Sequence, residues 1–95
     1  MRQLCHVDLT SAARALLAEA DRARAVQRLL DRAHAADRFR KKTGRCHAFW
    51  GNGTLAAAAQ ADGLAPEPYL SDPDYLACLG LVIAGIGLWR LGRGE

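Results

Sequence analysis

A segment of fifteen residues, Tyr75 to Trp89, carries no charged side chain and constrains the fold more than any other feature of the chain. Asp72 and Pro73 are a typical N-cap and first helical position, and Arg90 complements the helix dipole at the other end. A helix that is apolar on every side needs cover on every side. The sequence therefore predicts an all-α domain with this C-terminal helix at its centre.

The two sides of this predicted helix differ in side-chain size. Helical spacing places large residues on one face, namely Tyr75, Leu76, Leu79, Val82, Ile83, Ile86 and Trp89. Four small residues form a ridge on another face: Ala77, Gly80, Ala84 and Gly87. We call these four the small-residue ridge. Because small residues let a second backbone approach closely, the ridge predicts contact with the alanine run Ala56–Ala59 or with another copy of the chain.

A membrane span is the alternative explanation for such a helix. Fifteen residues at about 1.5 Å each reach about 22 Å, against a hydrocarbon core of about 30 Å. Extending the segment to Leu91 would bury Arg90. We therefore expect a buried core helix and no membrane span. Three cysteines without a paired framework, and no apolar signal core near the N-terminus, favour a reduced, cytoplasmic setting.

The rest of the chain predicts three further helices in one domain, residues 1–95. Asp8 is the expected N-cap of a helix over about 9–20. A longer helix over about 22–42 ends before Gly44; Asp21 could cap its start, or the chain could bend there without a full break. Thr54 caps a short helix over about 55–61, and residues 64–72 form a linker. No segment alternates polar and β-branched residues with a period of two, so no strand is predicted.

Charge divides the chain into two halves. Residues 1–48 hold eleven Lys and Arg against five Asp and Glu, a net charge of +6. Residues 49–95 hold two against five, a net charge of −3. A basic half suits nucleic acid or an acidic protein, and opposite halves also suit self-association.

Cationic side chains concentrate on the long helix and just after it. Arg24, Arg28 and Arg32 stack one turn apart, and aromatic residues follow the basic helix end, where they could stack on bases. The predicted partner-binding residues are Arg24, Arg28, Arg32, Arg38, Arg40, Lys41, Lys42, Arg45, Phe49 and Trp50. The simpler alternative is a solvated helix end whose cations complement the dipole, with Trp50 anchoring the turn in the core.

Two Cys-His pairs are the candidates for metal binding or catalysis. Cys5, His6, Cys46 and His47 could form a tetrahedral zinc site, but their spacing matches no zinc finger. Cys46 beside His47 could pair a nucleophile with a base, but neighbouring side chains usually diverge and no orienting acid is evident. We expect no enzyme, no cofactor and no metal, with these four residues as the candidate ligands and the cysteines as small buried side chains.

Several short motifs together resemble a family of short bacterial helical proteins of unknown function. They are Arg45-x-His47-x-x-Trp50-Gly51-x-Gly53-Thr54-Leu55, Pro66-Glu67-Pro68 and Asp72-Pro73-Asp74-Tyr75. The resemblance implies a stand-alone protein and no catalytic or binding residues.

Taken together, these patterns predict a non-catalytic interaction module. It would bind an anionic partner, nucleic acid or an acidic protein, through the basic helix and the turn at 45–54. The alternative is a small assembly subunit that oligomerises through the small-residue ridge, in a DNA-handling or phage-like packaging complex.

Overall fold

The computed structural model describes residues 1–92, which form four α-helices. They are α1, His6–Leu16; α2, Arg22–Thr43; α3, Leu55–Asp62; and α4, Pro73–Gly92. Within these residues the only β-type pairing is an isolated bridge between His47 and Gly51. The all-α class and the four predicted helices are confirmed. The predicted domain extends to Glu95, and residues 93–95 lie outside the described part of the chain.

Most helix ends follow the predicted capping residues. The carboxylates of Asp21 and Asp72 and the hydroxyl of Thr54 each accept a backbone N–H from the first turn of the helix that follows. Gly44 ends α2 with φ of 73°, in the left-handed region that favours glycine. Local capping chemistry therefore sets where α2, α3 and α4 begin.

The start of α1 differs from the prediction. The helix begins at His6 with Cys5 as N-cap, so Asp8 lies inside the first turn. One oxygen of the buried Asp8 carboxylate accepts the Cys5 N–H, and the other accepts the Ala56 N–H, both at 2.9 Å. A buried carboxylate needs such donors, and here they belong to the first turns of α1 and α3. Asp8 thus joins two helices rather than capping one.

The middle of the domain is formed by α1 and α2. Both pack against α3 and α4, whereas the backbones of α3 and α4 do not come close to each other. The largest buried side chains are Leu16, Leu29, Leu30, Leu55, Tyr75 and Val82. The predicted contact between the small-residue ridge of α4 and the alanines of α3 is therefore wrong. Those alanines pack instead against α1 and α2.

The predicted central position of α4 needs correction. Only Tyr75, Cys78 and Val82 of this helix are buried. Leu79, Ile86 and Trp89 are half-buried against the core, and the opposite side of α4 is exposed within residues 1–92 because α1 and α2 cover one side and the short α3 packs elsewhere. By length and composition alone α4 could cross a membrane, and only 17% of its most apolar window is buried.

Candidate interaction surfaces

The turn between α2 and α3 is held rigidly by two glycines. His47 and Gly51 exchange backbone hydrogen bonds of 2.9 and 3.1 Å. Gly51 (φ 81°) lies against Ala57, and Gly53 (φ 94°) lies against Asp37. A β-carbon at either position would come within 2.7 Å of these neighbours. The turn is therefore fixed between α2 and α3, and so are the side chains that it carries.

His47 organises the aromatic residues of this turn. Its Nδ1 accepts the backbone N–H groups of Phe49 and Trp50, each at 3.1 Å. Its ring stacks on Trp50 with centroids 4.5 Å apart, and Phe39 meets it edge-on at 5.3 Å. The expectation that Trp50 anchors the turn in the core is wrong. Trp50 is half-buried between His47 and the guanidinium of Arg32, which lies 5.7 Å from its ring centroid.

Part of the predicted cationic face of α2 is neutralised within the domain. Arg28 donates to Glu19 at 2.8 Å and to Asp62 at 2.7 Å, and Arg32 donates to Asp62 at 3.2 Å. The hydrogen bonds to Asp62 and Glu19 raise the pKa of Arg28. Arg28 and Arg32 were predicted to face a partner. They instead tie α2 to the end of α3, whereas Arg24 stays exposed.

Two further cations surround a buried carboxylate. Asp37 is only 1% exposed and lies 2.9 Å from Arg40 and 3.0 Å from Lys41. Burial acts to raise the pKa of Asp37, but the hydrogen bonds from Lys41 and Arg40 outweigh it and lower the pKa to about 2. The N-terminal amino group also lies 3.4 Å from Asp37, so one carboxylate faces three cations. Asp37 therefore holds Arg40 and Lys41 in position within the domain, but positive charge remains at this site.

Three of the predicted cations keep their charge unbalanced. Arg38, Lys42 and Arg45 are exposed and form no ion pair within residues 1–92. Arg38 and Lys42 lie one turn apart on α2, and Arg45 begins the aromatic turn. Phe49 in that turn is 77% exposed. We call Arg38, Lys42, Arg45 and Phe49 the basic-aromatic end.

The second surface lies on α4, opposite its buried strip. All four residues of the small-residue ridge are exposed: Ala77, Gly80, Ala84 and Gly87. A β-carbon added at Gly80 or Gly87 would meet nothing within 4 Å. At 100° per residue, the ridge is centred on the side of α4 directly opposite Tyr75, Cys78 and Val82. The ridge therefore faces away from the domain.

Large apolar side chains border the ridge on both sides. The exposed ones are Leu76, Leu81, Ile83, Leu88 and Leu91. Leu76 and Ile83 were predicted to share one helix face with Tyr75, but α1 and α2 cover only part of that face and leave these two side chains exposed. We call the ridge and these five side chains the outer face of α4. Contiguous apolar surface of this kind marks an interaction site.

An apolar hollow continues this surface towards α1. It has a volume of about 300 Å³ and is lined by Leu4, Cys5, His6, Leu9, Ile83 and Ile86. Tyr69 and Leu70, just before α4, are also exposed. The apolar surface thus extends beyond one helix.

The cysteines and histidines do not converge. Cys5 and Cys46 are exposed, contrary to expectation, and Cys78 is buried, which raises its pKa. No group of three His, Cys, Asp or Glu side chains within residues 1–92 is placed to hold a metal ion. The Nδ1 atom of His47 accepts two backbone N–H groups, so this nitrogen is occupied and cannot serve as a base towards Cys46.

Comparison with known proteins gives one match. Residues 2–86 match the model of a family described as a domain of unknown function (DUF7742), and the chain belongs to this family. No curated protein and no solved structure matches the chain. The expected membership of an uncharacterised family is thereby confirmed, whereas a bacterial origin, a cytoplasmic location and the absence of catalysis stay predictions.

Proposed function

We propose that this member of a family of unknown function is a non-catalytic assembly subunit that associates with a second copy of itself through the outer face of α4. The observation that carries the proposal is the exposure of an apolar helix whose domain covers only one strip of it. This is the second of the two functions predicted from the sequence. It now ranks first, because four of the ten predicted binding residues, Arg28, Arg32, Arg40 and Lys41, are engaged within the domain.

The free energy available from this face is sufficient for association. Fully burying a leucine or isoleucine side chain contributes about 1.5–3 kcal/mol, and each copy brings five such side chains to the outer face. Association costs about 4–15 kcal/mol in lost freedom of motion. Partial burial of ten side chains can offset that cost, and the small-residue ridge allows the backbones to approach closely enough to achieve it.

A second copy fits this face better than a lipid bilayer does. Arg22 of α2 forms an ion pair with Asp74 at the start of α4, with atoms 2.6 Å apart. Arg14 of α1 donates to the Ala65 carbonyl at 2.9 Å in the linker before α4. Inserting α4 into lipid while it stays packed on α1 and α2 would draw these charges towards the hydrocarbon, which is costly.

The test is a comparison of molecular mass in detergent-free buffer for wild type, Ala84→Glu and Ala61→Glu. Ala84 lies on the ridge, whereas Ala61 is an exposed residue of α3, whose backbone does not come close to α4. Wild type and Ala61→Glu should form dimers, and Ala84→Glu should be monomeric with unchanged helix content, because paired glutamates would lie desolvated at the contact. Equal masses for all three proteins would refute the proposal.

A specific observation also supports the first predicted function. The basic-aromatic end presents three cations without carboxylate partners in the described residues, beside an exposed phenylalanine. We propose that this end binds single-stranded nucleic acid, since cations contact phosphates and an exposed ring stacks on bases. With both surfaces in use, the chain would be a self-associating subunit of a DNA-handling assembly.

A further inference from the structure

The order of residues along α4 is nearly symmetric about Val82. Among the exposed positions from 76 to 88, those at equal distances before and after Val82 carry the same kind of side chain. The pairs are Leu81 and Ile83, Gly80 and Ala84, Ala77 and Gly87, and Leu76 and Leu88, and the inward-facing Tyr75 and Trp89 also match. The next pair outward, Asp74 and Arg90, carries opposite charges. The other inward positions, Leu79 and Gly85, and Cys78 and Ile86, do not match. Turning such a helix end for end about Val82 leaves the side chains of its exposed surface nearly unchanged in type.

The symmetry extends to the placement of these side chains around the helix. At 100° per residue, Gly80 and Ala84 lie about 20° on either side of the midline of the outer face, and Ala77 and Gly87 lie about 40° on either side. Leu76 and Leu88 lie about 60° on either side. Between residues 76 and 88 the small residues therefore occupy the midline, and at each level a large side chain occupies one flank only; Leu91 lies on the midline beyond this stretch.

A two-fold axis perpendicular to α4 at Val82 would use this arrangement. It places Gly80 level with Ala84 of the partner subunit, and Ala77 level with Gly87 of the partner subunit. Leu76 of each copy then lies level with Leu88 of the partner subunit but on the opposite flank of the contact. The leucines of the two copies therefore interleave without a clash. A two-fold contact requires such a self-complementary surface.

Charge distinguishes the antiparallel from the parallel arrangement. In an antiparallel pair the acidic first turn at Asp74 lies level with Arg90 of the partner subunit. In a parallel pair the two Arg90 residues would instead lie level with each other, whereas each Asp74 is already paired with Arg22 of its own chain. Antiparallel helix dipoles oppose each other favourably as well. Both effects favour the antiparallel arrangement.

We infer that two copies pair their α4 helices antiparallel about a two-fold axis at Val82. This inference rests on the proposed self-association and adds its orientation and register. It assigns Ala77, Gly80, Ala84 and Gly87 to the centre of the contact, with Leu76 and Leu88 on its flanks.

Disulfide cross-linking tests the register. In a background of Cys5→Ser and Cys46→Ser, with Cys78 retained because it is buried, Ala77→Cys and Gly87→Cys are prepared as separate proteins. In the antiparallel pair, the cysteine introduced at position 77 of one copy lies level with the cysteine introduced at position 87 of the other copy, close enough to form a disulfide. In an antiparallel pair of two copies of the same variant, the two introduced cysteines would lie about 15 Å apart along the helix axis, which is too far for a disulfide.

The cross-linked species on a non-reducing gel are interpreted together with the molecular mass of the native protein. A covalent dimer in the mixture of the two variants, and in neither variant alone, is the expected result. A covalent dimer from either variant alone shows a parallel pair and overturns the inference while preserving self-association. A native dimer without any cross-link overturns the register. A native monomer overturns the proposed function itself.

Discussion

Gly85 of α4 lies against Val26 of α2 so closely that a β-carbon at this position would overlap the Val26 side chain. Gly80, on the opposite side of the same helix, has open space where its β-carbon would be. The two glycines therefore have different roles. Gly85 permits the packing of α4 on α2, and Gly80 lies on the surface that we assign to a second copy.

The first prediction follows from this contrast. Gly85→Ala should lower the free energy of unfolding by about 1–3 kcal/mol, because overpacking outweighs the gain in helix propensity. Gly80→Ala should raise it by up to about 1 kcal/mol, since alanine favours the helix and meets no neighbour. Urea unfolding followed by circular dichroism measures both. Stabilisation by Gly85→Ala would contradict the described packing of α4 on α2.

The second prediction concerns the ion pairs that tie α2 to α3. Arg28→Met should destabilise the fold by about 1–2 kcal/mol, because Glu19 and Asp62 each lose a charge-assisted hydrogen bond at a site that is one-third exposed. Arg24→Met is the matched control, since Arg24 is 84% exposed and its carboxylate partner lies 3.8 Å away. Its effect should stay below about 0.5 kcal/mol. Equal losses in the two variants would show that the Arg28 pairs add no stability.

The third prediction is a pH dependence that comes from Asp37. Its pKa of about 2 lies below the ordinary 3.8, so the folded protein holds the carboxylate charged more strongly than the unfolded chain does. This contributes about 2 kcal/mol of stability that is complete above about pH 5 and is lost as the pH falls through 3.8 towards 2.

Comparing Asp37→Asn with wild type isolates this contribution. The difference in unfolding free energy should be largest near pH 6 and should shrink steadily below pH 4. Asp31→Asn removes an exposed carboxylate of α2 and is the control, with an expected effect below about 0.5 kcal/mol. A difference between Asp37→Asn and wild type that is independent of pH from 6 to 2 would rule out an Asp37 charge stabilised by Arg40 and Lys41.

The fourth prediction concerns the basic-aromatic end. Changing Arg38, Lys42 and Arg45 together to Glu should abolish binding of a fluorescent single-stranded oligonucleotide, as measured by anisotropy. Wild-type binding should weaken with salt with a log–log slope of about −2, as expected for about three phosphate contacts. Arg24→Glu, a control on the same helix, should retain binding. Binding of polyglutamate but not of the oligonucleotide would favour an acidic protein partner instead.

Features set by neighbours in the chain could be predicted from the sequence. Capping by Asp21, Thr54 and Asp72 and termination at Gly44 depend on contacts within a few residues, and the structure agrees with each of them. The apolar character of α4 was equally plain. Its spacing also revealed the small-residue ridge.

Features set by distant residues could not be predicted. The role of Asp8 depends on Ala56, and the neutralisation of Arg28 depends on Asp62, in both cases across more than thirty residues of chain. The central position predicted for α4 assumed that a soluble domain covers every apolar helix. With only three other helices in residues 1–92, the outer face of α4 stays exposed. The near-symmetric order about Val82 was the available signal for this face.

The most direct test of the account is the molecular mass of the wild-type protein by sedimentation equilibrium without detergent, over a range of concentrations. We predict a mass that approaches twice the 10.3 kDa of one chain as concentration rises. A mass of one chain at every concentration, with the protein fully soluble, would contradict the central claim that α4 binds a second copy.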